Sequence, residues 1–175
     1  MITKLKRTPG LYVVGFMAAG KTTIGKVLAE QLGWAFADLD DDIESAERRT
    51  ISEIFDASGE AEFRRIETAA LRARVCSIER GTPTVLAVGG GAYAQPANYD
   101  LVRNNGITLW LDCPLETVKQ RVATATHRPL ARDPERFERL YRERQEAYAR
   151  ADYRIEIVSD DPLAAVETIV KLPIF

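Results

Sequence analysis

The chain has 175 residues, with 24 Lys and Arg against 26 Asp and Glu, one His, two Cys and a hydrophobic share of 46%. That length fits one domain, residues 1–175, able to bury a core unaided, and two cysteines are too few for a disulfide framework or a zinc cluster. A net charge of −2, with no run near the roughly 20 apolar residues of a membrane span, argues against a nucleic-acid backbone or a membrane as partner and fits a soluble protein of a reduced compartment.

The first ten residues are basic but lack the apolar stretch and cleavage site of a signal peptide. Leu11–Val14 is the first of five short apolar runs, followed by Ala35–Ala37, Thr84–Val88, Ile107–Leu111 and Tyr153–Val158. Most are β-branched or aromatic and stop at Gly, Asp or Pro, as buried strands do. Between the first two, Lys21 to Leu32 puts Ile24, Val27, Leu28 and Leu32 on one helical face, with Gly33 as C-cap. Thr50 and Glu53 have the spacing of a capping box, and Ala61 to Ser77 reads as a helix with Phe63, Ile66, Ala70 and Leu71 inward. Pro114 and Pro162, each shortly after an Asp, mark further helix starts. Strands alternating with helices imply βαβ units: an α/β fold with a parallel sheet and helices on both faces. No repeat, low-complexity tract or linker divides the chain.

The sharpest local signal is Gly15-Phe-Met-Ala-Ala-Gly20-Lys21-Thr22, which follows the first strand and opens the first helix. Glycines let the backbone curl so that successive N–H groups face one concavity, a nest for phosphate oxygens reinforced by the helix N-terminus. Lys21 would reach the β- and γ-phosphates and the Thr22 hydroxyl would ligate Mg²⁺. A chance match in a chain of this length has odds on the order of one percent.

A nucleotide site leaves open a switch, a motor or a kinase. The guanine-reading Asn/Thr-Lys-x-Asp segment of a GTP switch is missing, and motors carry more chain for coupling. A small-molecule kinase fits, and it needs an acceptor-orienting carboxylate, cationic neutralisation and a closing lid. Asp38 and Asp40 end the second strand, where the ligand crevice of a parallel sheet lies. If the strand persists, its period of two points both side chains the same way. One would serve the magnesium shell and the other the acceptor hydroxyl. Asp41, Asp42, Glu44 and Glu47 follow, and carboxylates at a helix N-terminus stabilise it without any function. That plain explanation suits Asp41 and Asp42, not Asp38.

Gly89-Gly90-Gly91 ends the third strand and lets a ligand approach the backbone. Gly59-Glu-Ala-Glu-Phe63-Arg64-Arg65 sets an arginine fork on the helix leading into that strand, although Arg64 taken alone reads as a solvated helix charge. Residues 123–133, with Thr126-His127-Arg128-Pro129-Leu130, read as a lid carrying Arg128 toward the transferring phosphoryl group, with His127 on the surface. A long helix follows with Arg136, Arg139, Arg142, Arg144 and Tyr148, interleaved with acids at surface-pair spacing. Composition does not distinguish which of these arginines faces the site. Charge is segregated: Asp38 to Glu47 holds six acids and no base, and Arg121 to Arg144 holds seven arginines against four acids.

In this order, the stretches Gly15 to Thr22, Phe36-Ala-Asp38-Leu-Asp40, Gly59-Glu-x-x-Phe63-Arg64, Gly89-Gly90-Gly91, Arg128-Pro129-Leu130 and Arg144-x-x-x-Tyr148 resemble those of the shikimate kinases over essentially the whole chain. The resemblance implies transfer of the γ-phosphoryl of ATP to the 3-hydroxyl of shikimate, in chorismate and aromatic amino-acid synthesis. It also implies the nucleoside-monophosphate-kinase type of P-loop fold, three layers around a five-stranded parallel sheet in order 2-3-1-4-5, with a shikimate-binding region near 38–80.

Carried over residue by residue, the resemblance makes Asp40 the holder of the acceptor hydroxyl and the base. Lys21 and Arg128 act on the phosphates, and Gly15, Ala18, Ala19, Gly20, Thr22 and Thr23 complete the ATP cradle. Arg121 and Pro162 flank the adenine, Thr22 and, through water, Asp38 hold Mg²⁺, and Arg64 and Arg144 clamp the shikimate carboxylate. Gly89, Gly90 and Gly91 lend backbone contacts to the substrate, and Glu67 steadies the arginines. This chain departs from the family pattern at Glu146, where Pro is frequent, at Val88, where Thr or Ser is frequent, and at Ala18-Ala19. The expected partners are ATP and shikimate, and the expected state is a cytoplasmic monomer. Two alternatives stay open: a related kinase of another hydroxylated acid such as gluconate, and a nucleotide-binding module without catalysis.

Overall fold

A computed structural model of the chain describes residues 10–124 and 133–175. Its five strands are β1 (Gly10–Val14), β2 (Ala35–Asp38), β3 (Thr84–Ala87), β4 (Ile107–Asp112) and β5 (Tyr153–Glu156). They form a parallel sheet in the order β2-β3-β1-β4-β5. Position in the sheet explains composition. β1 and β3 are covered on both faces and buried at every residue, so they read as unbroken apolar runs. The edge strand β5 buries Ile155 and leaves Arg154 and Glu156 exposed, the alternation of a strand covered on one face.

Among the described residues seven helices connect and flank the strands: α1 (Lys21–Leu32), α2 (Leu39–Glu47), α3 (Ile51–Glu79), α4 (Pro96–Asn105), α5 (Leu115–Thr124), α6 (Pro134–Tyr148) and α7 (Pro162–Val170). From β1 the chain moves one way across the sheet to β2, then returns the other way through β3, β4 and β5. Right-handed crossovers therefore put α1 on one face and the connections after β2 on the other. Packing agrees, since α1 lies against α7, and α3 lies against α2 and α4. The strand order reverses at β1, so the crevice for a ligand opens at the carboxyl ends of β1 and its neighbours. The core beneath it is built on Tyr12, Val13, Leu28, Leu71, Leu86, Leu109 and Val166, all fully buried.

Several boundaries differ from the sequence reading. α1 ends at Gly33 as expected, with φ 65° and its N–H bonded to the carbonyls of Ala29 and Glu30. The capping box at Thr50 is present, Thr50 Oγ1 accepting from the Glu53 N–H at 3.2 Å and the Glu53 carboxylate accepting from the Thr50 N–H at 2.7 Å. The helix expected from Ala61 is continuous with the turn this box starts, and α3 is bent at Gly59, whose φ of 79° is open to glycine at little cost. β2 stops at Asp38 and β5 at Glu156, leaving Val158 exposed beyond the sheet. α4 has no counterpart in the sequence reading, because it buries only Asn98 and Val102 and shows no apolar stripe.

Candidate active site

Gly15 to Thr22 turns between β1 and α1. Phe16 and Ala19 are buried, and Phe16 meets Phe137 and Tyr141 of α6 edge-on, with ring centroids 5.4 and 5.2 Å apart. The turn closes through the Ala19 N–H to the Phe16 carbonyl at 3.2 Å. Lys21 Nζ donates to the carbonyls of Gly15 and Phe16 at 3.0 and 2.9 Å. In front of the turn lies a cavity of about 500 Å³, to which Ala18, Gly20, Lys21, Thr22 and Thr23 all contribute. Asp38 and Asp40 line it on one side, Val88, Gly89 and Gly90 on another, and Arg121, Asp160 and Pro162 at a third.

The two aspartates meet there by a route the strand argument does not give. β2 ends at Asp38, and Asp40 lies in the first turn of α2, so a shared strand face is not what brings them together. Asp38 is the N-cap: its Oδ1 accepts from the Asp40 N–H at 3.0 Å, and its Oδ2 accepts from the Thr22 hydroxyl at 2.6 Å. Asp38 thus does stabilise the start of α2, contrary to expectation, and it borders the cavity as well. Burial first, and then the neighbouring Asp38, push the Asp40 carboxyl above the usual aspartate range, against the pull of Lys21. Asp42 is structural, forming an ion pair with Arg74 of α3 that fastens α2 in place.

Beside Asp40 the three glycines meet a second group of side chains. Each lacks a Cβ where a functional group stands. At Gly89 that Cβ would lie 3.2 Å from Asp40 Oδ1 and 3.5 Å from Glu67 Oε2. At Gly90 it would lie 3.2 Å from the Tyr148 hydroxyl, which itself donates to the Gly90 carbonyl at 2.7 Å. At Gly91 it would lie 2.5 Å from Arg64 Nη2. Arg64 is held by Glu67 Oε1 at 2.8 Å, and its buried Nε has no hydrogen-bond partner among the described residues. Glu67 is 1% exposed, and burial pushes its carboxyl up despite Arg64. Arg144 acts electrostatically on both Glu67 and Tyr148. Arg144 lines a separate, more open depression with Ala94 and Glu146 and does not line the cavity in front of the turn.

The third side centres on Arg121, which bonds the Ala18 carbonyl, Cys113 Sγ and Asp160. Sequence reasoning missed Asp160 and gave Tyr148 no role. Both act across long chain separations: the spacing of Tyr148 from Arg144 marks its place but not its contact with Gly90, and no spacing marks Asp160. Arg128 and the rest of 125–132 lie outside the described residues.

A glycine-rich strand–helix turn ending in Lys-Thr, at the reversal point of a parallel sheet in order 2-3-1-4-5, defines the P-loop kinase fold. Comparison with known proteins narrows this. A family model described as Shikimate kinase matches residues 17–172. A shikimate kinase of Synechococcus elongatus is 40% identical over 93% of this chain and 85% of its own length. One of Persephonella marina is 38% identical over 91% of this chain and 96% of its own. The solved shikimate kinase of Acinetobacter baumannii in complex with shikimate superposes with a TM-score of 0.86 at 35% identity, covering 94% of this chain and 92% of that one. The chain belongs to the shikimate kinase family.

Proposed function

We propose that this enzyme transfers the γ-phosphoryl group of ATP to the 3-hydroxyl of shikimate, releasing ADP and shikimate 3-phosphate. The observation that carries the reading is the position of Asp40. Its carboxylate borders the cavity beside Lys21 and Thr22, and also stands at Gly89 next to Glu67, the group that holds Arg64. A base belongs at such a junction of phosphate cradle and acceptor site.

In this reading the P-loop N–H groups and Lys21 hold the phosphates, Lys21 exchanging its two carbonyl partners for phosphate oxygens. Arg121 and Pro162 flank the adenine. Arg64 and Arg144 clamp the substrate carboxylate, which a guanidinium fork can bind in a bidentate way. The backbone of Gly89 to Gly91 bounds the ring. Asp40 orients the 3-hydroxyl and takes its proton, and its raised carboxyl suits that task better than an ordinary aspartate would. Arg128, outside the described residues, stays in the proposal as the arginine that neutralises charge on the transferring group.

The Thr22 hydroxyl and Asp38 carboxylate are hard oxygen donors in contact at the cradle, and they fit Mg²⁺, which is commonly bound through one or two side chains plus water and phosphate. Thr22 would ligate the ion directly and Asp38 through water; when bound, it would neutralise charge on the β- and γ-phosphates. The rest of the catalysis is positioning and electrostatics. Both cysteines are free, Cys76 exposed and Cys113 buried, which supports a cytoplasmic placement. Among the described residues no helix is long and apolar enough to cross a membrane.

A coupled ADP-release assay offering shikimate, gluconate, quinate and nucleoside monophosphates in turn tests the proposal. Turnover is expected with shikimate. Turnover with gluconate and none with shikimate would overturn it.

A further inference from the structure

We infer that Asp160 and Arg121 form a relay that holds the P-loop in its phosphate-binding shape, so that Asp160 is a positioning residue for phosphates it does not touch. The inference rests on the reading of the cavity as an ATP site. Its starting point is Ala18, which has φ 59°, a left-handed conformation that a residue with a Cβ adopts under strain. A residue held there needs surroundings that over-determine it. The Ala18 carbonyl accepts from Arg121 Nη1 at 2.9 Å. Arg121 is in turn fixed by Cys113 Sγ at 3.6 Å, at the end of β4, and by an ion pair of 2.6 Å from Nη2 to Asp160 Oδ1.

Three separate parts of the chain therefore meet at one guanidinium: the turn after β1, the end of β4, and the loop between β5 and α7. Nη1 has two acceptors and Nη2 one, a division of directions that suits a planar fork and not an ammonium group. Asp160 needs no contact with phosphate to matter. Without its carboxylate Arg121 loses the anchor on its outer side, and the Ala18 carbonyl loses a donor held in a fixed direction.

The relay and simple electrostatics make opposite predictions. Asp160→Asn removes a negative charge from the cavity wall, which by Coulomb attraction alone should tighten the binding of an anion. The relay predicts weaker binding, because the cradle is no longer held in shape. The probe is magnesium tripolyphosphate, which has no base, titrated beside ATP into the wild type, Asp160→Asn and Arg121→Lys, with binding followed by calorimetry. Arg121→Lys should bind tripolyphosphate about 10-fold more weakly, and Asp160→Asn, whose carboxylate is 87% exposed, about 3-fold more weakly. The shikimate KM should stay within twofold, since that site lies at the other end of the cavity. In a double-mutant cycle, Ala18→Gly should reduce the effect of Asp160→Asn, because glycine needs no help to hold a left-handed turn. Tripolyphosphate binding that is unchanged or tighter in Asp160→Asn overturns the relay. A wild type that binds tripolyphosphate but not ATP would instead sink the reading of the cavity as an ATP site.

Discussion

Gly91→Ala tests the proposed acceptor site with the smallest perturbation available, a single methyl group. The added Cβ would stand 2.5, 2.7 and 2.9 Å from Nη2, Nη1 and Cζ of Arg64, against the 3.4–4 Å of ordinary contact. Gly91 is not among the glycines with positive φ, so alanine is acceptable to the backbone and the cost falls on the arginine. The guanidinium must retreat by roughly 1 Å, a displacement able to cost on the order of 100-fold when it misplaces a positioning group. A charge-assisted hydrogen bond is worth about 1.5–3 kcal/mol, which brackets the loss at roughly 10- to 150-fold in kcat/KM. Steady-state kinetics at saturating ATP should show that fall for shikimate, with the KM for ATP within twofold. The fall should be absent in an Arg64→Ala background, where nothing remains for the methyl to displace. An unchanged kcat/KM for shikimate in folded Gly91→Ala would refute the placement of Arg64 against the acceptor.

Asp40→Asn should abolish transfer, leave ATP binding intact and raise Tm at neutral pH. Because burial and Asp38 lift the Asp40 carboxyl in the folded state, the native protein keeps that proton to higher pH than the unfolded chain does. Stability is then lost as pH rises from the unfolded value through the folded one, and the neutral amide escapes that loss. The gain in Tm should close near pH 4; a Tm below that of the wild type at pH 7 would contradict the sign. Tyr148→Phe strips the donor from the Gly90 carbonyl, at a cost of about 1 kcal/mol, or about 3 °C in Tm. The shikimate KM should rise several-fold with it, and a lower Tm with an unmoved KM would make Tyr148 a packing residue alone.

What the sequence makes legible depends on how local the cause is. β1 and β3 stand out because burial on both faces leaves only apolar residues, and the phosphate cradle stands out because eight consecutive residues carry it. The Thr50 box and the Gly33 cap belong to the same class, since each is closed within a turn of helix. Asp38 and Asp40 were legible as a pair, but by the wrong geometry. Where β2 ends is decided by a capping bond and by Thr22 across the crevice, not by the alternation of the strand.

The Tyr148–Gly90 and Arg121–Asp160 contacts span 58 and 39 positions, and no spacing rule reaches so far. The second of these contacts also changes the meaning of the arginine-rich second half of the chain. Pairs such as Arg142 with Glu138 lie one helical turn apart on the surface of α6 and are worth a few tenths of a kcal/mol at most. Arg121 belongs to the same excess by composition, yet its partners come from three separate parts of the chain, and two of them, Ala18 and Asp160, line the cavity. Spacing alone does not separate the two kinds, since Arg64 meets Glu67 within one helical turn and Arg74 reaches Asp42 across the fold; what sets Arg121 apart is that groups it holds form the wall of the cavity.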